Sequence, residues 1–118
     1  MDKAFVLVGH GAGDEALELY NGLLEAVREK EKNTFLVMLH GEPDAARVAK
    51  EIKDMGIKGI VLIPLLLAPG HHMEKNIVSK DSSIQKAFID IGMEVEVRAK
   101  TLLEYETVFE AISNSVLE

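Results

Sequence analysis

Short apolar segments alternate with longer amphipathic segments along the chain. Four segments, residues 4–8, 34–39, 59–67 and 93–97, are continuously apolar or alternate with a period of two, which predicts β-strands. Between and after them, apolar residues recur at spacings of three and four, which predicts helices. The alternation predicts an α/β domain of three layers, α/β/α, with a four-stranded parallel sheet that helices cover on both faces.

The helix boundaries carry recognisable signals. Acidic residues suit the first turn of a helix, proline suits its first position, and glycine suits the residue after its end. Pro64 lacks an amide hydrogen, so a bulge or a strand end is expected near it. The predicted helices start at Asp14 or Glu15, run from Pro43 to Gly56, cover 84–91 before Gly92, and span 104–117.

All four histidines follow predicted strands. His10 comes after the first strand, His40 after the second, and His71 and His72 lie in the loop after the third. The carboxyl ends of parallel strands share one edge of the sheet, where such folds bind ligands. Imidazole binds transition metals and changes its protonation near neutral pH. If the three strands are neighbours, the sequence predicts a histidine-rich site at this edge.

Composition narrows the classes of function. The chain has 118 residues, which predicts one domain over 1–118, and it has no cysteine, so any metal must be held by nitrogen and oxygen ligands. A net charge of −7 argues against nucleic-acid binding. No apolar run is long enough to cross a bilayer, and the N-terminus lacks the features of a signal peptide. We therefore expect a cytoplasmic protein without a membrane partner.

The residues around the histidines do not match common catalytic motifs. Gly9, Gly11 and Gly13 have neither the spacing of GxGxxG nor the lysine of a P-loop, and GxSxG and HExxH are absent. The glycines that flank His10 allow a sharp turn that exposes its imidazole, and His40–Gly41 repeats this dipeptide. The alternatives are that His10 only caps a turn and that His40 is a surface residue. Spacing alone does not decide which of the adjacent histidines of the third loop faces the site.

Three segments resemble a known family. The segments 8–11 (VGHG), 40–43 (HGEP) and above all 64–76 (PLLLAPGHHMEKN) are similar to the class II tetrapyrrole chelatases, in particular to the C-terminal half of the anaerobic cobalt chelatase that acts on sirohydrochlorin. The similarity continues through 92–97 and 102–105, so it covers nearly the whole chain. The segment 64–76 is its most specific part.

The resemblance implies an activity and a set of site residues. The family inserts a divalent metal into a tetrapyrrole without ATP or another cofactor, which implies insertion of Co²⁺ into sirohydrochlorin for cobalamin synthesis. It implies that His10 and His72 are catalytic metal ligands and that His40 is a third ligand, where longer members have a glutamate. Candidate substrate-binding residues are Gly11, Ala12, Glu42, Pro69, Gly70 and His71, the last at a variable position.

The length of the chain implies a partner. Longer members of the family have two similar halves with the tetrapyrrole between them, and this chain corresponds to one half, as in the small homodimeric members. We therefore expect a two-fold homodimer, with the fourth strand or the last helix as candidate interfaces. Ni²⁺ or Fe²⁺ are alternatives to Co²⁺, because each accepts imidazole ligands. A non-catalytic carrier of metal or tetrapyrrole is the alternative to an enzyme.

Overall fold

The structure, a computed structural model, describes residues 3–11 and 13–118, apart from the side chains of His72 and Glu74. Strands and helices alternate as predicted. The strands are β1 (Lys3–Gly9), β2 (Thr34–Met38), β3 (Gly59–Pro64) and β4 (Glu94–Val97). The helices are α1 (Asp14–Arg28), α2 (Ala45–Asp54), the short α3 (His71–Met73) with a π-helical turn (Glu74–Val78), α4 (Ser83–Ile89), a 3₁₀ turn (Leu102–Glu104) and α5 (Glu106–Ser115).

The four strands form one parallel sheet in the order β2-β1-β3-β4. At its carboxyl edge, Gly9 pairs with Met38 of β2, and Val8 pairs with Pro64 of β3. The strands that precede the histidines are therefore neighbours. This confirms the condition on which the predicted site depended, and the α/β fold with a four-stranded parallel sheet is confirmed with it.

One face of the sheet carries the main core. Val6 and Val8 of β1 are fully buried there against Ile52 of α2 and Phe88 of α4. Helix α2 begins at its N-cap Asp44, whose carboxylate accepts a hydrogen bond of 2.9 Å from the backbone of Arg47. The prediction that Pro43 is the first helical residue is wrong, because the cap is Asp44 and the first helical residue is Ala45, two residues after Pro43.

The opposite face is less completely covered. Helix α1 lies over it next to β2, and the Arg28 side chain donates a hydrogen bond of 2.8 Å to the carbonyl of Thr34. Neither α1 nor α5 contains a buried residue. On this side, Phe5 and Ile63 of the sheet stay only half-buried, so the third layer of a single chain is incomplete.

The end of β3 and the loop that follows it differ from the prediction. Strand β3 stops at Pro64, as its missing amide hydrogen predicted, so the predicted strand 59–67 is three residues too long. The stretch that begins at His71, for which the sequence predicted no helix, forms α3 and the π-helical turn. The buried side chains of Met73 and Ile77 hold these turns on the core, and Gln85 of α4 donates hydrogen bonds of 2.7 and 2.9 Å to the carbonyls of Ile77 and Val78.

Helix α5 follows the 3₁₀ turn, which is capped by Thr101 and Glu104; this capped turn is called the hinge below. The Glu104 carboxylate accepts hydrogen bonds from the backbone amide (2.8 Å) and the hydroxyl (2.7 Å) of Thr101. Tyr105 is the extended residue between the 3₁₀ turn and α5, and the Lys100 ammonium lies 4.6 Å from the centroid of its ring. These contacts fix the direction in which α5 leaves the domain.

The charge of Glu104 is expected to stabilise this hinge in a pH-dependent way. The hydrogen bonds from Thr101 lower the pKa of Glu104. A carboxylate with a lowered folded-state pKa stabilises the fold above its unfolded-state pKa, and this contribution is lost as the pH falls through the folded-state pKa. The unfolding free energy of the wild type minus that of Glu104→Gln should therefore stay constant above about pH 5 and shrink below about pH 4.

Denaturant unfolding at several pH values measures this difference. Glu106→Gln is the matched control, because it removes a neighbouring charge at the start of α5 without removing a contact to Thr101. A Glu104→Gln difference that stays the same from pH 7 to pH 3 contradicts the prediction.

Within the described residues, no helix combines the length and apolar character that a membrane crossing requires.

Candidate metal centre and substrate edge

The turns after β1 and β2 are joined by backbone hydrogen bonds. The amide of Leu39 donates to the carbonyl of Gly9 (2.8 Å), and the amide of His40 donates to the carbonyl of His10 (3.1 Å). The ladder thus continues past the ends of both strands. It places His10 directly beside His40, at the carboxyl edge of the sheet.

The two imidazoles form a close pair. Their ring centroids lie 5.2 Å apart with an interplanar angle of 74°, and both residues are exposed. Metal–nitrogen bonds of about 2.0–2.1 Å allow the ring centroids of two histidines on one ion to lie up to roughly 6 Å apart. The spacing of His10 and His40 is therefore compatible with one shared metal ion.

Two glycines make this close approach of the turns sterically feasible. Gly11 has a φ of +130°, and a Cβ atom there would lie 2.5 Å from the carbonyl oxygen of His40. A Cβ atom on Gly9 would lie 2.8 Å both from Sδ of Met38 and from Cε1 of Tyr20. Gly11, predicted to bind substrate, therefore has a structural role in seating His10 against His40.

The loop after β3 lies at the same edge, but fewer of its predicted site side chains are described. Leu65 continues from β3 and donates a backbone hydrogen bond of 2.8 Å to Val8. His71 is exposed at the start of α3, while the side chain of His72 lies outside the described residues, as does Ala12. Among the described residues, no group of three histidine or carboxylate side chains is close enough to hold a metal. The pair of His10 and His40 is thus the part of the predicted ligand set that the structure brings together.

The remaining predicted substrate residues are spread along this edge. Glu42 follows the His40 turn, and its carboxylate lies 3.5 Å from the guanidinium of Arg47. Pro69 and Gly70 line a shallow pocket of about 200 Å³ together with Met73, Val78 and Ala99. Both positions are exposed, so they are accessible to a ligand.

An apolar groove beside the histidine edge was not predicted from the sequence. It has a volume of about 350 Å³ and lies between α1, the end of β3 and the 3₁₀ turn. Leu19, in α1, is 79% exposed although it lines this groove. The signal that could have revealed it is a second set of apolar positions on α1, outside the stripe that packs on β2. The lining residues are Ala16, Leu19, Tyr20, Leu23, Leu65 and Leu102.

Comparisons with known proteins agree with this fold. The profile of the family described as Cobalt chelatase (CbiK) matches residues 1–115. The chain is 27% identical over 89 residues to the sirohydrochlorin cobaltochelatase CbiKC of Nitratidesulfovibrio vulgaris, a match that covers 75% of this chain and 32% of that protein. It is 36% identical over 81 residues to a sirohydrochlorin cobaltochelatase of Methanocaldococcus jannaschii, covering 64% of this chain and 55% of that protein.

A solved structure shows the same fold over the full length. A protein from Marinobacter aquaeolei VT8, assigned to cobalamin (vitamin B12) biosynthesis as CbiX, superposes with a TM-score of 0.82 at 21% identity and covers 98% of this chain and 95% of that one. The chain is thus a chelatase-type α/β domain. It belongs to the cobalt chelatase (CbiK) family. Its matches span only about a third to about half the length of the curated relatives.

Proposed function

We propose that this protein is an ATP-independent chelatase that inserts Co²⁺ into sirohydrochlorin or a close relative, in a pathway of the cobalamin type. The observation that carries the proposal is the exposed imidazole pair of His10 and His40, 5.2 Å apart, at the carboxyl edge of a cobalt chelatase family domain. The relatives named above as sirohydrochlorin cobaltochelatases support the choice of metal and macrocycle.

The reaction exchanges one ion for two protons. A divalent metal enters the macrocycle, two pyrrole nitrogens lose their hydrogens, and two protons leave. The site must therefore hold the metal loosely enough to release it and must accept protons while it does so. Imidazole suits both tasks, because it binds borderline metals through a neutral nitrogen and changes its protonation near neutral pH.

The proposed roles of the site residues follow from their positions. His10 holds the metal and accepts protons, because its turn lies at the centre of the sheet edge, between β2 and β3. His40 is the second ligand. We propose His72 as a further ligand on the third loop, and Gly11, Ala12, Glu42, Pro69, Gly70 and His71 as residues near the macrocycle.

The proposal also covers which metals the site accepts and how many copies of the chain form it. A set of imidazole ligands without a carboxylate also accepts Ni²⁺ and Fe²⁺, so selectivity must come from the geometry of the complete site rather than from affinity order. We propose no cofactor beyond the substrate metal ion. We also propose a homodimer in the cytoplasm, in which two such edges face one tetrapyrrole.

Metal insertion can be measured directly. The purified protein should accelerate the absorbance change of sirohydrochlorin with Co²⁺ by at least about 100-fold over the uncatalysed reaction, because positioned acid–base groups alone contribute about 10²–10⁴. Parallel assays with Ni²⁺ and Fe²⁺ rank the metals. Tight binding of the tetrapyrrole or of Co²⁺ without acceleration would contradict the enzyme and favour a carrier.

A further inference from the structure

A buried amide of α4 closes the end of the π-helical turn. Gln85 is 3% exposed, and its Nε2 donates hydrogen bonds of 2.7 Å to the carbonyl of Ile77 and 2.9 Å to the carbonyl of Val78. A primary amide has two N–H donors, so each carbonyl receives one of them. These carbonyls lie at the end of the turn, where backbone acceptors lack partners within the helix. Gln85 therefore supplies from another element the donors that the turn itself lacks.

The start of α4 frees the Gln85 side chain for this contact. Residues 82–85 (SSIQ) have the pattern of a capping box, in which the glutamine side chain returns to the amide of the N-cap residue. Here the hydroxyl of Ser82 accepts a hydrogen bond of 3.2 Å from the Gln85 amide, but the Ser82 amide donates to the carbonyl of Ser79 (3.0 Å). Only half of the box forms, and the glutamine side chain turns to the π-helical turn instead.

The segment that Gln85 holds also carries the histidines of the loop after β3. Helix α3 and the π-helical turn run without a break from His71 to Val78, and the backbone of His72 lies at the start of this segment. The buried side chains of Met73 and Ile77 set its inner side on the core. At about 1.5 Å per residue, Val78 lies roughly 9 Å along the segment from His72. Gln85 thus acts on the opposite end of the segment from the histidines.

We infer that Gln85 is a positioning residue of the metal centre, whose amide fixes the helical segment 71–78 and through it the place of the loop after β3 at the histidine edge. The inference rests on the proposed function, from which it takes His72 as a ligand. Turns of the π type often occur at functional sites, and they need outside support because their hydrogen bonding is irregular. A misplacement of about 1 Å at a reacting group can cost about 100-fold in rate.

Loss of the two donors is expected to open the segment. In Gln85→Met the side chain keeps its length and most of its volume, but the carbonyls of Ile77 and Val78 lose their partners. A buried carbonyl without a partner is costly, so the turn reorganises until water reaches it. Gln85→Glu keeps the polar shape and the capping-box pattern, and its ionised carboxylate likewise has no hydrogen to donate. Both variants should therefore displace the segment.

Titration with Co²⁺, followed by calorimetry, measures the effect on the metal centre. Both Gln85→Met and Gln85→Glu should raise the dissociation constant for Co²⁺ at least about tenfold, the lower end for residues that support a metal ligand. Ser82→Ala is the matched control, because it removes the cap at the start of the same helix and leaves the Gln85 side chain in place. It should lower the thermal midpoint but change the dissociation constant less than threefold. If Gln85→Met fails to fold, Gln85→Glu gives the same comparison.

A double-mutant cycle separates positioning from a general loss of stability. If Gln85 acts through the loop after β3, Gln85→Met should change Co²⁺ affinity less than twofold in a His72→Ala background. In a His40→Ala background the loss of about tenfold should persist. A merely structural role would lower the affinity equally in both backgrounds, and that result overturns the inference.

Amide hydrogen exchange gives a readout that needs no metal. In Gln85→Met, exchange within 71–78 should be at least about tenfold faster than in the wild type, while exchange in α1 stays unchanged. Unchanged exchange within 71–78 overturns the inference, and so does faster exchange with unaltered Co²⁺ affinity. A wild type that binds Co²⁺ but inserts none into sirohydrochlorin contradicts the proposed function alone, because the affinity comparison still decides the role of Gln85.

Discussion

Replacing His10 by alanine is expected to lower the rate of metal insertion at least about 100-fold while leaving the fold intact. The imidazole is exposed in the turn after β1 and lies 5.2 Å from that of His40, so its removal takes away one ligand of the proposed ion and one proton acceptor. Loss of a positioned general base alone costs about 10²–10⁴ in rate. Steady-state insertion of Co²⁺ into sirohydrochlorin measures the loss.

The design separates chemistry from structure. Thermal unfolding of His10→Ala should match the wild type, because an exposed side chain is removed and no cavity forms. Added imidazole should restore part of the rate, which a merely structural role would not allow. Activity within threefold of the wild type would remove His10 from the proposed site.

Much of the sheet and its histidine edge was predictable from the sequence. Each strand is marked by a short apolar run, and parallel strands place their carboxyl ends together whatever their order. The remaining requirement was that β1, β2 and β3 be neighbours, which the order β2-β1-β3-β4 satisfies. The positions of His10 and His40 then follow from their places directly after strands.

Details that depend on tertiary contact were less predictable. The turns after His71 carry few local signals, because their shape comes from burying Met73 and Ile77 and from the side-chain hydrogen bonds of Gln85. The start of α2 was misplaced because Pro43 and Asp44 both fit a helix N-terminus, and the carboxylate of Asp44 forms the cap.

The groove beside α1 was missed for a different reason. Periodicity predicts that α5 is amphipathic, and the helix is confirmed, but periodicity does not say which surface its apolar side meets. Leu19 and Leu23 read as ordinary helix residues in the sequence. Only their exposure next to Leu65 and Leu102 reveals an unfilled position.

Substituting Gly11 by alanine is expected to disrupt the proposed metal centre without removing any ligand. Its φ of +130° is strained for any residue with a side chain, and the added Cβ would lie 2.5 Å from the carbonyl oxygen of His40. Such strain costs about 1–3 kcal/mol, and the turn relieves it by moving away from His40. The hydrogen bond from the His40 amide to the His10 carbonyl, 3.1 Å long, is the contact that separates first.

Gly13→Ala is the matched control two residues along. Gly13 has a φ of −73°, and a Cβ there would meet nothing within 4 Å, so alanine fits without strain. Titration with Co²⁺, followed by calorimetry, should show at least tenfold weaker binding for Gly11→Ala and an unchanged affinity for Gly13→Ala. Equal affinities would mean that the two imidazoles need not be held together to bind the metal, and the proposed centre would then have to lie on the third loop.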